Sequence, residues 1–146
     1  AGDGSVMMNI QDLITIKNYN LNVSIFLFEN DGYLSIKQTQ KNFFGRENGS
    51  SSSSGLLFPS FQYLAKACDI AFHKLDPKDY ENELREILSQ KGPQFTEVPL
   101  DLHQEFEPRL KSRVEGNRIV TPELDDMYPF LDRKLLDQVR SQAPGV

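Results

Sequence analysis

Val6, Ile10, Leu13 and Ile14 fall at i, i+4, i+7 and i+8, the apolar stripe of one helix face. Ser5 stands just ahead of most of that stripe and is its expected N-cap. The period then changes. Residues 23–28, Val-Ser-Ile-Phe-Leu-Phe, are nearly continuous in β-branched and aromatic side chains, which predicts a parallel-sheet strand covered on both faces. Residues 33–44 contain few breakers and read as a short helix with Leu34, Ile36, Phe43 and Phe44 as its apolar members. Phe61, Leu64, Ala65 and Cys68 repeat the helical stripe over 60–68, and a short strand follows at 71–74. Asp76-Pro77 signals another helix start, and Tyr80, Leu84, Ile87 and Leu88 give that helix its buried face. Lys91-Gly92 ends it, and 94–98 reads as a strand. Strand, helix, strand, helix, strand from 22 to 98 predicts an α/β fold, a parallel sheet flanked by helices.

The pattern breaks twice. Residues 45–55, with Ser50 through Ser54, are expected to be a flexible polar loop, because they carry too little apolar surface to order themselves. From Pro99 the alternation stops, and an irregular tail runs through Pro108, Pro122 and Pro129 to a last helix over 132–140. The division expected is therefore a partial α/β domain at 1–98 and a C-terminal tail with a terminal helix at 99–146. So long a stretch is not a simple loop inside a compact domain. Its Glu105-Phe106-Glu107-Pro108 and Met127-Tyr128-Pro129-Phe130-Leu131 segments suit packing on a surface. At the other end only Ala1 precedes Gly2, whereas a parallel sheet needs a strand to deliver the chain there, so a fragment is expected.

Composition narrows the function classes. The chain has 146 residues, 38% hydrophobic and 25% charged, the make-up of one soluble globular domain. A net charge of −5 without a basic run argues against nucleic acid as a partner. No stretch is long and apolar enough for a bilayer and no signal-peptide pattern opens the chain, so the expectation is a cytoplasmic protein without a membrane partner. Cys68 is expected to be a small buried hydrophobe. His73 and His103 have no second His, Cys or helical Glu at metal-ligand spacing, and P-loop, dinucleotide and Ser-His-Asp patterns are absent from the sequence.

What remains is a pair of polar turns. Gly2-Asp3-Gly4-Ser5 opens the first helix, and 25 residues separate Gly4 from Asn30-Asp31-Gly32 at the end of the first strand. That span fits a helix, a loop and a strand returning to the same sheet edge, so the two turns face one another. Open α/β sheets bind ligands at that end of their strands. Glycines at 2 and 4 allow a close backbone approach, and a helix N-terminus attracts an anion such as phosphate. Asp3 offers a carboxylate oxygen, Asn30 an amide oxygen and Gly32 an unobstructed carbonyl. Such hard oxygens suit Mg²⁺, which completes its octahedron with substrate phosphates and water. The chemistry indicated is a metal-bridged diphosphate.

GDGS followed after 25 residues by Asn-Asp-Gly resembles the cofactor motif of thiamine diphosphate-dependent enzymes, GDG…NN, with Glu29 in place of the first asparagine. The resemblance implies thiamine diphosphate and Mg²⁺ as cofactors, with Asp3, Asn30 and Gly32 as metal ligands. It implies Gly2, Asp3, Gly4, Ser5, Asn30, Gly32 and Tyr33 as the cofactor-binding set, Gly4 and Ser5 touching the diphosphate. Residues after the metal turn line the reaction centre in that family, making Ser35, Ile36 and Thr39 substrate-pocket candidates. Tail and pocket together resemble acetolactate synthase-like large subunits, which decarboxylate a 2-oxo acid and pass the two-carbon unit on. Thr39 stands where those enzymes usually carry tryptophan and Ser35 where methionine is common, so a 2-oxo acid decarboxylase, or a non-catalytic diphosphate-binding or assembly module, is the alternative. The family's catalytic glutamate belongs to a pyrimidine-binding domain of a partner subunit, so no catalytic residue is expected in this chain, which alone should be inactive. A homodimer or homotetramer is expected of the complete enzyme. In acetolactate synthase-like members the C-terminal segment covers the active site, which would put Phe106, Arg109, Lys111 and Arg113 to that use.

Overall fold

The computed structural model describes residues 1–142. They form two compact units, Ala1–Gln104 and a second that begins at Glu105.

In the first unit three parallel strands, β1 (Ser24–Glu29), β2 (Ala71–Lys74) and β3 (Gln94–Pro99), lie in the order β1-β3-β2. The parallel α/β fold expected from the alternation is what the structure shows. Because β3 is central, its residues 94–97 are all buried, while β1 buries only Leu27 completely and leaves Phe28 45% exposed. Coverage of β1 on both faces is thus only local. Leu13, Leu27, Phe61, Ala65, Ile70 and Phe95 make the core. The Phe95 ring stacks on Phe61 and Phe72 at centroid distances of 6.3 and 6.2 Å. Burying a side chain such as Leu27 or Phe95 contributes about 1.5–3 kcal/mol.

Ala1 and Gly2 run along the edge of β1 opposite β3. The Ala1 amino group donates to the Phe26 carbonyl and the Phe28 N–H to the Ala1 carbonyl, both at 2.8 Å, and Gly2 pairs in parallel with Phe28. Helix α1 (Asp3–Val6) starts at once, which corrects the expected start. Gly2 is the N-cap, Ser5 lies inside the first turn without capping, and the Asp3 carboxylate takes the Gly4 N–H at 2.7 Å. A 3₁₀ turn at Met7–Asn9 then separates α1 from α2 (Asp12–Asn18). Val6, Ile10 and Leu13 still reach the core, and Ile14 does not.

Helix α3 (Leu34–Phe44) is closed by Gly45 at φ 63°. Helix α4 (Phe61–Ala67) is capped by Ser60, whose hydroxyl accepts the Tyr63 N–H. Cys68 packs against the core half-buried rather than fully buried. Helix α5 (Tyr80–Ser89) begins later than Asp76-Pro77 suggests, since the Asp76 carboxylate instead closes a turn on the Lys78 N–H at 2.9 Å. Ile87 alone of the expected stripe is fully buried there, with Tyr80 and Leu88 exposed.

The serine segment is folded, contrary to the flexible loop expected. Ser51 and Ser54 form a reciprocal capping box around a 3₁₀ turn, Ser52–Ser54. The Gln40 side chain donates to the Asn48 carbonyl at 3.0 Å and accepts the Asn48 N–H at 2.9 Å and the Ser50 hydroxyl at 3.0 Å. Ser50 and Ser51 are fully buried. Hydrogen bonds, not apolar area, give this segment its order.

The second unit carries the terminal helix expected there and adds a short hairpin to the irregular stretch. Strands β4 (Arg113–Glu115) and β5 (Arg118–Val120) form a hairpin, Arg109 bridges Tyr128, and α6 (Arg133–Gln142) follows an Asp132 cap. The Arg133 guanidinium grips both oxygens of the buried Asp126 at 2.7 Å, and Arg113 adds a bond at 3.2 Å. These hydrogen bonds, Arg133 foremost, hold the Asp126 carboxyl down at about 2. Lys111 Nζ lies 4.1 Å from the centre of the Tyr128 ring, and the Arg113 and Arg133 guanidiniums flank Phe130 at 5.7 Å. Among the described residues no helix is long and apolar enough to cross a membrane.

Candidate metal and diphosphate site

Strand β1 ends at Glu29, and the next residues turn back sharply with Asp31 at φ 60° and Gly32 at φ 130°. This brings the Asn30-Asp31-Gly32 turn onto Asp3, as the spacing of the two motifs predicts. Asp3 is 1% exposed. Its Oδ1 accepts the Gly4 N–H at 2.7 Å, and its Oδ2 accepts the N–H groups of Asn30 at 3.2 Å and Gly32 at 2.9 Å. None of the ion pairs among the described residues includes Asp3. A buried carboxylate held by backbone N–H groups and paired with no side-chain cation retains lone pairs for a metal ion.

The Asn30 amide lies within reach of both other candidate ligands. One of its atoms lies 2.9 Å from the Gly32 carbonyl oxygen and 3.2 Å from Asp3 Oδ1. With the amide nitrogen in that place it donates to both. With the oxygen there, it faces the other two oxygens with no hydrogen between, a contact that a cation would satisfy. Neighbouring ligands of an octahedral Mg²⁺ with bonds of about 2.0–2.1 Å lie about 2.9 Å apart, close to the spacing seen. One carboxylate, one amide and one carbonyl therefore fit the ion. No cluster of three His, Cys, Asp or Glu side chains among the described residues offers another metal centre.

The remaining candidates sit as follows. Gly4 is buried, its N–H is bound to Asp3, and a Cβ there would collide with the Tyr33 ring. Tyr33 meets Phe58 edge-on at 5.9 Å. Ser5 is exposed in the first turn of α1. Gly2 is extended (φ −80°) with its nearest obstacle, the Phe28 carbonyl, 4.0 Å from an added Cβ, so local sterics do not demand glycine. Ser35, Ile36 and Thr39 are exposed on α3, with the Thr39 hydroxyl donating to the Ser35 carbonyl at 2.9 Å. Within the second unit, Phe106 is exposed, Arg109 pairs with Glu105, Lys111 lies over Tyr128 and Arg113 binds Glu115 and Asp126.

A cleft of about 330 Å³ opens at the C-terminal end of the sheet, lined by Asp3, Glu29, Asp31, Lys74 and Glu97 and walled by residues 56–59. Ser35, Ile36 and Thr39 are not among its lining residues. The charged trio Glu29, Lys74 and Glu97 is what sequence reasoning missed. Lys74 and Glu97 are register partners on β2 and β3 and form an ion pair, which raises the Lys74 pKa. Burial, then the negative charge of Glu97, pushes the Glu29 carboxyl up. Strand-end position was the available signal, but pairing across a crossover is not written in local periodicity.

The family model for the thiamine pyrophosphate enzyme C-terminal TPP binding domain matches residues 1–98. Acetolactate synthase 2, chloroplastic, from Nicotiana tabacum is 31% identical over 126 residues, covering 82% of this chain and 19% of that protein. Acetolactate synthase isozyme 1 large subunit from Escherichia coli (strain K12) is 29% identical over 125 residues, 82% of this chain and 21% of its own length. The acetolactate synthase large subunit of Porphyra purpurea is 28% identical over 140 residues, 92% of this chain and 23% of that protein. The chain thus spans about one fifth of the length of the curated relatives it matches. With its turns, sheet and match in agreement, the chain belongs to the thiamine pyrophosphate enzyme family through that family's C-terminal TPP binding domain.

Proposed function

We propose that this chain holds the Mg²⁺-bound diphosphate of thiamine diphosphate in an acetolactate synthase-like enzyme that decarboxylates a 2-oxo acid and transfers the resulting unit. The observation that carries the reading is the spacing of Asp3 Oδ1, the Asn30 amide and the Gly32 carbonyl. Asp3, Asn30 and Gly32 hold the metal, and Gly2, Gly4, Ser5 and Tyr33 form the rest of the cofactor surface. When bound, thiamine diphosphate supplies a carbanion that adds to a carbonyl and stores the resulting charge. This chain's contribution is position. Three backbone N–H groups fix Asp3, so the metal ligands are oriented before the ligand arrives. The activating glutamate is assigned to the pyrimidine-binding domain of a partner subunit, which makes the working enzyme at least a homodimer in the cytoplasm.

A simple 2-oxo acid decarboxylase is the second reading. It is favoured by Thr39 and Ser35 on α3 and by the lack of any tryptophan in the chain, since acetolactate synthase-like pockets use larger residues there. Calorimetric titration with thiamine diphosphate, with and without Mg²⁺, tests the shared core of both readings. Binding that requires both Mg²⁺ and Asp3, and disappears in Asp3→Ala, is expected. Binding indifferent to Mg²⁺, or none at all by a full-length version that carries the pyrimidine-binding domain, overturns it.

A further inference from the structure

Five serines run from Ser50 to Ser54, and none of the metal or diphosphate contacts above employs them. They hold the metal turn. Ser52 donates to the two carboxylate oxygens of Asp31, from its N–H at 3.2 Å and from its hydroxyl at 2.9 Å. The Ser50 carbonyl accepts the Tyr33 N–H at 2.9 Å and presses on Gly32 so closely that an added Cβ would collide with it. The loop therefore grips the turn at Asp31, immediately before Gly32, and at Tyr33, immediately after. Both Asp31 and Gly32 have positive φ, and a non-glycine residue stays in that region only when its surroundings hold it. The loop is itself tied to α3, through Gln40 to Asn48 and Ser50, and through Lys41 to Glu47 at 3.0 Å and Glu47 to the Ser51 hydroxyl at 2.8 Å.

We propose that the serine run is a positioning element for the metal site. The Ser52–Asp31 lock and the Ser50–Tyr33 hydrogen bond keep the Gly32 carbonyl turned toward the Asn30 amide and the Gly32 N–H on Asp3. The inference rests on the metal reading given above. Without the lock, part of the binding free energy goes into ordering the turn, and the apparent affinity falls by the fraction of molecules already competent. Ser52 and Asp31 are positioning residues, acting on the cation through Gly32.

The test uses the full-length protein, pyrimidine-binding domain included, with Ser52→Ala and Ser52→Thr, read by calorimetric binding of thiamine diphosphate as Mg²⁺ is varied and by hydrogen exchange of the Tyr33 amide without cofactor. Ser52 is exposed, so far-UV circular dichroism and Tm should not change. The expected result is an apparent Mg²⁺ dissociation constant raised about tenfold in Ser52→Ala, the scale of one charge-assisted hydrogen bond, with faster Tyr33 exchange. Ser52→Thr, which keeps the hydroxyl, should restore both. Wild-type binding by Ser52→Ala overturns the lock and leaves the cofactor reading standing. A loss that threonine does not repair, or that comes with a lowered Tm, makes Ser52 a general structural residue and also overturns it. If the wild-type protein does not bind, the cofactor reading fails and the lock falls with it.

Discussion

The two units of this chain are held together by opposite means. The first is built on Leu27, Phe61, Ala65 and Phe95, apolar side chains gathered around one central strand. The second, among its described residues, buries Leu136 alone of its hydrophobic side chains and relies on Asp126 with Arg133 and Arg113, and on cations laid over Tyr128 and Phe130. Apolar packing is indifferent to pH, whereas a carboxylate held by guanidiniums loses its partners once protonated. The units should therefore fail under different conditions.

The largest effect expected is from Phe95→Ala. It empties the centre of the aromatic stack and should destabilise the first unit by about 3–5 kcal/mol, measured by urea unfolding with hydrogen exchange resolving the two units. A loss spread equally over both units would break the contrast. Acid sharpens it from the other side. The folded pKa of Asp126 lies at about 2, below an unfolded value of about 3.9. Its stabilisation is thus complete above the unfolded value and disappears as pH falls through the folded one. Glu29 has the opposite sign: its pKa is raised, so its contribution is fullest at low pH and is lost as pH rises through the folded value. Between pH 4 and 2, exchange in α6 should accelerate before exchange in β3, and Asp126→Asn should flatten that response. The smallest effect is expected from Arg140→Ala. The Arg140–Asp125 pair at 2.7 Å is solvent-exposed on both sides, and such pairs contribute little once screened, so Tm should not change measurably.

The same contrast explains what could be read from the sequence. Apolar burial leaves a period, so the helix stripes, the strand at 23–28 and the α/β alternation were visible, as was the pairing of Asp3 with Asn30 and Gly32 through motif spacing. Polar order leaves none. The serine segment was misjudged because its stability comes from Gln40, Asn48 and the Ser51–Ser54 box, partners that composition cannot assign. The hairpin at β4 and β5 escaped for a related reason, since its strands are three residues long and largely exposed. Ser5 was the expected cap on residue preference, yet the helix already starts at Asp3 with Gly2 as its N-cap. The Lys74–Glu97 pair required knowing that β2 lies beside β3.

The contact between Gly4 and Tyr33 has a use in the spectrometer. The aromatic ring occupies the space a Gly4 side chain would fill, so ring current must displace the Gly4 α-proton resonances from their usual positions. Those two protons sit beside Asp3 in the chain and report on Tyr33, next to Gly32. Their chemical shifts form a built-in gauge of whether the two turns are seated against one another, readable without label, dye or cofactor.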